Sequence, residues 1–358
     1  MTTVKMRIGE RWIGDGEPCF IIAEAGSNHD GNLVQAKALI DVAVEAGADA
    51  VKFQTFKSRT MYPRVSGPVE YLKALGVDRS ISDLIEEMEM PEHWIPELAA
   101  YCTKHGIVFL STPFDEQMVD LLDPYVPAFK IASYELTHIP MIRHAAAKKK
   151  PLIVSTGAGS LDEIEQALAA ITAAGNESVC LMQCTAKYPA PPETVNVRVI
   201  AEFRQRWRIP VGLSDHSRHP LYAPLAAVAC GASLIEKHYT LSRRLPGPDH
   251  SFALEPPELR EMVEGIRSVE RVLGNPNKRL LEVEQELVNY RRAIYTARVV
   301  EAGHVLKCDD LIVLRRPGTR EAGIPPKELD ALFGRQVRRR LEAQWLLTRD
   351  DLEPAPGA

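Results

Sequence analysis

The stretch Val211-Gly-Leu-Ser-Asp-His216, followed by the helix-length run Leu221 to Ala229 and then by Leu234-Ile-Glu-Lys-His238, decides the fold. Each flank is a short apolar run ending in a histidine, and the residue two places earlier, Ser214 or Glu236, is also polar. In a strand, residues i and i−2 share a face. A strand, helix, strand unit of this kind predicts neighbouring parallel strands whose C-terminal ends carry polar groups, the layout of a barrel enzyme. It also makes His216 and His238 candidate ligands for one metal ion. A single such histidine reads first as a hydrogen-bonded core residue. Two at matching strand ends favour the metal.

Working outward, six further apolar runs of strand length alternate with helical patterns. They are Phe20 to Ala25, Ala50 to Thr55, Ile107 to Ser111, Ala128 to Ala132, Leu152 to Thr156 and Val179 to Cys184. Helices are expected over Leu33 to Glu45, Trp94 to His105, Leu161 to Ala173 and Pro257 to Leu273. Asn32 can cap the first, Gly47 and Gly106 can stop helices, and Asp162 and Glu163 sit in a first turn. Eight strand-helix units over about 255 residues fit a (β/α)8 TIM barrel in count and length. An eight-stranded doubly wound sheet is the alternative.

Gly274-Asn-Pro-Asn-Lys278 breaks the alternation. The expected organisation is a catalytic barrel over residues 1–274, a charged linker over 275–290 and a small, mostly β domain over 291–358. In the last, short runs (Ile294 to Val300, Leu311 to Leu314) meet turns at Glu301-Ala-Gly303 and Arg316-Pro-Gly318. Its core is thin, so docking on a partner surface is expected. The chain reads without internal repeats.

With 358 residues, 45% hydrophobic and 25% charged, the composition is that of a soluble globular enzyme. A net charge of −5 gives no reason to expect nucleic acid or an anionic membrane as partner. No apolar stretch approaches the roughly 20 residues of a membrane span, and Met1-Thr-Thr-Val-Lys-Met-Arg lacks a signal core, so a cytoplasmic protein is expected. The six cysteines form no C-x-x-C pair and read as small core residues. A thiolate metal site at Cys180 and Cys184 is the weaker alternative. Arg338-Arg-Arg340 reads as a solvated face.

Sorted by face, the strand ends carry Glu24, then Lys52 with Gln54, Thr112, Lys130 with Ser133, Ser155, and Thr185. A lysine inside an apolar strand is costly to bury without an anion. Lys52 and Lys130, with the hydroxyls of Thr112, Ser133, Ser155 and Ser214, describe a pocket for a compact dianion such as phosphate or a phosphate-carboxylate. Structural ion pairs with nearby carboxylates are the alternative. A Schiff base on either lysine is the sharper rival, and the histidine pair argues against it because that chemistry needs no metal. Ser155-Thr-Gly-Ala-Gly159 opens a helix and offers amides to an anion, a weak signal on its own. Asn28-His-Asp-Gly31 reads first as a turn and helix start, with His29 a functional candidate.

Several of these segments together resemble the N-acetylneuraminate (sialic acid) synthase family. They are Phe20-Ile-Ile-Ala-Glu-Ala-Gly-Ser-Asn-His-Asp-Gly31, Ala48-Asp-Ala-Val-Lys-Phe-Gln54, Phe129-Lys-Ile-Ala-Ser133, Gly212-Leu-Ser-Asp-His216, Glu236-Lys-His238 and Pro246-Gly-Pro-Asp249. Cys184-Thr-Ala-Lys-Tyr-Pro-Ala-Pro-Pro-Glu193 and Asp249-His-Ser-Phe-Ala-Leu254 look closest to its spore-coat polysaccharide branch. Val313-Leu-Arg-Arg-Pro-Gly318 is similar to the family's C-terminal antifreeze-like (SAF) domain, so the resemblance spans nearly the whole chain.

The resemblance implies a condensation of phosphoenolpyruvate with an N-acylated aldose, N-acetylmannosamine or a relative, to a nine-carbon 2-keto acid and phosphate. Legionaminic, pseudaminic or spore-coat sugar precursors are the alternative aldoses. It implies a divalent metal on His216 and His238, Mn2+ foremost with Mg2+ or Co2+ as substitutes. Lys52, Thr112, Lys130, Ser133, Ser155 and Ser214 match positions that hold phosphoenolpyruvate, and Glu135 is placed with the substrate. Glu24, Gln54, Tyr188 and Asp249 match positions around the sugar. Arg316 matches the arginine that the C-terminal domain inserts into the other subunit, which implies a domain-swapped homodimer. Ala186 departs from the pattern, standing where the family commonly carries an asparagine or serine. In the implied mechanism the metal polarises the aldehyde, C3 of phosphoenolpyruvate attacks it and water adds at C2. The lysines stabilise departing phosphate, and Glu24 is the expected acid/base group.

Overall fold

The computed structural model describes residues 4–64, 80–318 and 321–354. Positions 1–3 of the start quoted above, and positions 319–320 and 355–358 of the expected C-terminal domain, lie outside them. The chain divides into two compact units, residues 1–274 and 275–358.

In the first unit the eight expected strands are all present. They are β3 (Phe20–Gly26), β4 (Ala50–Thr55), β5 (Val108–Pro113), β6 (Phe129–Ile131), β7 (Leu152–Ser155), β8 (Val179–Cys184), β9 (Val211–Asp215) and β10 (Leu234–His238). They run in the order β5-β4-β3-β10-β9-β8-β7-β6, every hydrogen-bonded neighbour parallel. Chain order is kept around the sheet and β5 lies beside β6, so the sheet is a nearly closed (β/α)8 barrel. A doubly wound sheet would reverse direction at a switch point, and this one does not.

Alternation along each strand sorts the residues. Ile21, Ala23 and Ala25 of β3 face outward into the core beneath the helices, while Phe20 and Ile22 face the barrel interior. The interior layer collects Ala50, Leu110, Ala128, Ile153, Cys180, Met182 and Leu234 as well. A hairpin not anticipated from the sequence, β1 (Lys5–Ile8) with β2 (Arg11–Gly14), adds Met6, Ile8 and Ile13 to this layer and plugs the N-terminal end. Stepping two residues along each strand from that layer gives Glu24, Lys52, Thr112, Lys130, Ser155, Cys184 and Glu236, so the apolar plug dictates where the polar layer begins.

Gly212 is the interior residue of β9, where a Cβ would lie 2.5 Å from the Leu234 carbonyl oxygen and 2.6 Å from Met182 Sδ. Gly212→Ala is therefore expected to cost about 1–3 kcal/mol by overpacking, read as a lower urea midpoint at unchanged slope.

The expected helices form, with Pro257 to Leu273 beginning one residue earlier and Trp94 entering through a short 3-10 turn. Asn32 Oδ1 accepts from the amides of Val34 and Gln35, and Gly47 and Gly106 close their helices at φ 79° and 73°. Among the described residues no helix is long and apolar enough to cross a membrane.

The second unit pairs β11 (Arg292–Thr296) with β12 (Leu311–Arg315), antiparallel, around Ile294, Val300, Leu306, Ile324, Leu332, Val337, Leu341, Leu347 and Leu352. Here the expectation of no repeat is overturned. Val300-Glu-Ala-Gly-His-Val-Leu-Lys-Cys-Asp-Asp-Leu311 recurs as Leu341-Glu-Ala-Gln-Trp-Leu-Leu-Thr-Arg-Asp-Asp-Leu352. Buried Asp310 accepts from the Lys307 amide, His304 and Arg298, and buried Asp351 from the Thr348 amide, Trp345 and Arg339. The two copies meet where Val300 and Leu341 exchange backbone hydrogen bonds at 2.9 and 2.8 Å, so one motif is used twice about a local two-fold.

Candidate functional site

The C-terminal mouth of the barrel holds one cavity lined by Glu24, Lys52, Gln54, Thr112, Phe114, Lys130, Ala132, Ser133, Ser155, Tyr188, Ser214, His216, Glu236 and His238. Eleven of the residues singled out from the sequence meet there. Glu236, noted above only as polar, proves to be the hub. Its sign in the sequence was its place two residues before His238 on the interior face of β10.

The charges are arranged as a chain. Lys52 Nζ lies 2.8 Å from Glu24 and 3.7 Å from Glu236, and Lys130 Nζ lies 3.2 Å from Glu236. Lys52 donates to Thr112 Oγ1 (2.9 Å), Ser214 to Glu236 Oε1 (3.2 Å) and Gln54 to Glu24 Oε1 (2.9 Å). The lysines thus satisfy the ion-pair reading while also facing the cavity. Burial, together with the nearby Glu236 charge, pushes the Glu24 carboxyl up to about 7 against the pull of Lys52. Glu236 is equally buried, yet Lys130 and Lys52 outweigh burial and hold it below the usual carboxylate range. One carboxyl is therefore poised to exchange a proton near neutrality and the other stays an anion. Burial alone would lower Lys52, but Glu236 and Glu24 raise it.

His216 and His238 sit with ring centroids 5.5 Å apart. His216 Nδ1 lies 2.9 Å from the Thr185 carbonyl, to which it donates, leaving Nε2 with its lone pair. His238 Nδ1 is buried without a hydrogen-bond partner. Burial keeps both rings neutral, pushing His216 down to about 4 and His238 well below its ordinary value. Two neutral, buried imidazoles with free nitrogens fit a divalent ion whose remaining ligands come from substrate or water. Among the described residues no group of three or more His, Cys, Asp and Glu side chains is placed to hold one, so the fit is to an open site. Tyr188 covers the pair, 4.1 Å from His216 and 5.8 Å from His238 between centroids. On the outer face Lys237 pairs with Asp215 and donates to the Ser217 carbonyl, anchoring the turn that carries His216.

Ser155 Oγ is buried with no partner, a hydroxyl presented to the cavity. Ser133 is fixed by accepting from the Gly157 amide (3.0 Å). Gly157 is required there, since a Cβ would meet Ser133 Oγ at 2.8 Å, Cys184 Sγ at 2.9 Å and the Cβ of Ala186 at 3.0 Å. The helix after this loop opens with a capping box in which the Ser160 and Glu163 amides are taken by each other's side chains. Burial pushes the Cys180 and Cys184 thiols up, against a thiolate site. His29 is a turn residue: fully buried, accepting from the Gly31 amide (3.1 Å) and packed edge-on against Trp94 at 5.7 Å.

Asp249 and Glu135 are not among the residues lining this cavity. Asp249 Oδ2 lies 3.8 Å from His238 Nδ1 at the edge of a neighbouring cavity, and burial raises its carboxyl to about 6. Arg316 belongs to the second unit, where it donates to the carbonyls of Glu321 (2.6 Å) and Val288 (2.7 Å). Glu135 sits on the 3-10 turn Ser133–Glu135, with Oε2 buried and unpartnered. Burial raises its carboxyl to about 7, only partly offset by Lys130. The folded state then holds a proton that the unfolded chain releases above its ordinary pKa, so this stability is present at pH 4 and lost as pH rises toward 7. Glu135→Gln is expected to match the wild type at pH 4.5 and exceed it by about 1–3 kcal/mol at pH 8 in paired urea titrations.

The NeuB family pattern matches residues 39–278, and the SAF domain pattern matches residues 291–353. The chain is 44% identical to the spore coat polysaccharide biosynthesis protein SpsE of Bacillus subtilis over 97% of this chain and 96% of that one. The crystal structure of SpsE superposes with a TM-score of 0.66, at 40% identity over 98% of this chain and 100% of that one. An N,N'-diacetyllegionaminic acid synthase of Legionella pneumophila is 38% identical over 95% of this chain and 96% of its own. The human N-acetylneuraminate-9-phosphate synthase is 36% identical over 91% and 90%.

Proposed function

The chain belongs to the NeuB family, and from that premise we propose that it condenses phosphoenolpyruvate with an N-acylated aldose to give a nine-carbon 2-keto acid and phosphate. The observation that carries this reading is the Glu24–Lys52–Glu236–Lys130 chain of charges beside two neutral imidazoles. Lys52 and Lys130 neutralise the phosphate and carboxylate of phosphoenolpyruvate, and Thr112, Ser133, Ser155 and Ser214 donate hydroxyl hydrogen bonds to it. Gln54, Tyr188 and Asp249 hold the sugar. His216 and His238 would hold a divalent ion, Mn2+ in our assignment, which when bound supplies Lewis acidity to an aldehyde oxygen.

C3 of phosphoenolpyruvate forms the new carbon-carbon bond to the aldehyde carbon. A water oxygen adds at C2 and the bond to phosphate breaks, leaving the 2-keto group. Glu24, with its carboxyl near 7, gives a proton to the new alkoxide or takes one from the water. The lysines receive the departing phosphate. Arg316 keeps three N–H donors beyond the two used on carbonyls, enough to meet an acyl group in a homodimer whose C-terminal domains are exchanged.

Phosphate release from phosphoenolpyruvate tests the reading. It is expected only when an N-acylated hexose such as N-acetylmannosamine, or a diacylated 6-deoxy relative, is present, with the product mass confirming the condensation. No release with any of a panel of such sugars would overturn it. Lys130→Ala is expected to raise the KM for phosphoenolpyruvate about 10- to 100-fold and that for the sugar far less, because one charge-assisted contact is worth about 1.5–3 kcal/mol. A borohydride-trapped adduct on Lys52 or Lys130 would favour the Schiff-base chemistry instead, although Lys52 is held protonated by its two glutamates.

A further inference from the structure

Behind the two histidines, on the outer face of the barrel, lies a buried ion pair that the proposed chemistry does not use. Along β9, Leu213 and Asp215 share that face, and along β10 Ile235 and Lys237 do, with Leu213 and Ile235 in the core beneath the helices. Asp215 and Lys237 are register partners across the two strands, and their side chains pair at 0% and 2% exposure. Each sits between two residues of the site. Asp215 is flanked by Ser214 and His216, and Lys237 by Glu236 and His238.

The pair clamps the chain just past His216. Asp215 Oδ1 accepts from the Ser217 amide (2.8 Å), and Lys237 Nζ donates to the Ser217 carbonyl (2.5 Å) and lies 3.4 Å from its hydroxyl. Both peptide units of Ser217 are therefore held, one by each member of the pair. Because Ser217 follows His216 and Lys237 precedes His238, the clamp joins the two backbone segments that carry the imidazoles. Two apolar side chains would fill the same space without desolvating charge, and such replacements of buried ion pairs are often neutral or stabilising. Fold stability therefore does not account for the pair, whereas the clamp does.

We propose that Asp215 and Lys237 are positioning residues for the metal site: they fix the placement of His216 relative to His238 and so set the affinity of the site for a divalent ion. The inference rests on the assignment of those two histidines as metal ligands. Partners that orient metal ligands from behind typically contribute about 10- to 100-fold in affinity.

The test is titration of metal-stripped, full-length protein with Mn2+, read by the electron paramagnetic resonance of the free ion, alongside thermal melts. The double variant Asp215→Leu with Lys237→Met is expected to melt no lower than wild type, yet to bind Mn2+ about 10- to 100-fold more weakly. Asp215→Asn keeps the size of the side chain and an acceptor for the Ser217 amide, and serves where the double variant fails to fold. It is expected to weaken Mn2+ at least ~3-fold with a melt close to wild type. Wild-type Mn2+ affinity in either variant, once shown to be folded, would overturn the inference and leave the histidine assignment standing. A double variant that melts well below wild type, together with an Asp215→Asn protein of full affinity, would mark the pair as structural only. Wild-type protein that takes up no Mn2+ would remove the metal site itself, and the inference with it.

Discussion

Alanine at His216 or at His238 is expected to lower kcat/KM by at least ~10³-fold while leaving the barrel folded, because a lost Lewis acid removes several kcal/mol of charge stabilisation. The two rings are buried and neutral with centroids 5.5 Å apart, and the Thr185 carbonyl fixes the tautomer of the first. Neither ring is part of the apolar layers that hold the strands together, so circular-dichroism melts of both variants should stay close to wild type. Each variant should also retain less than a tenth of the wild-type Mn2+ after gel filtration, measured by plasma mass spectrometry, since half of the protein's donor set is gone. Full turnover by protein shown to be metal-free would overturn the assignment of these histidines.

The barrel and its polar mouth were legible because two periods reinforce each other. Apolar strand runs of four to six residues recur with helices between them, and within each run the alternation places Glu24, Lys52, Thr112, Lys130 and Glu236 on the face that continues the interior layer. What sequence reading missed has equally physical causes. The β1–β2 hairpin is only four residues a side, and only β1 alternates cleanly between exposed and buried positions, so its pattern is too short to stand out. The repeat in the second unit keeps its buried aspartates and core leucines but exchanges the partners, His304 against Trp345 and Lys307 against Thr348, which hides it from composition. His29 shows why a single histidine is hard to read: a turn that uses a buried ring as a hydrogen-bond acceptor looks, in sequence, like a site. Glu236 became the hub only when β9, β10 and β6 brought Ser214 and Lys130 to it.

Mixing two inactive variants, His216→Ala and Arg316→Ala, is expected to restore about a quarter of wild-type activity if each C-terminal domain completes the other subunit's barrel. Each variant alone carries a defect in every site, one in the barrel and the other in the arginine. In a mixed dimer the intact barrel of the arginine variant receives the intact domain of the histidine variant, so one of the two sites is whole. Random reassortment of equal amounts makes about half the dimers mixed, hence the quarter. Arg316→Ala also frees the Val288 and Glu321 carbonyls, so its melt must be compared with wild type before mixing. Were each domain instead to serve its own barrel, every active site in the mixture would keep one defect. Co-refolding with mixed dimers confirmed by intact mass, and no activity recovered, would rule out the exchanged arrangement.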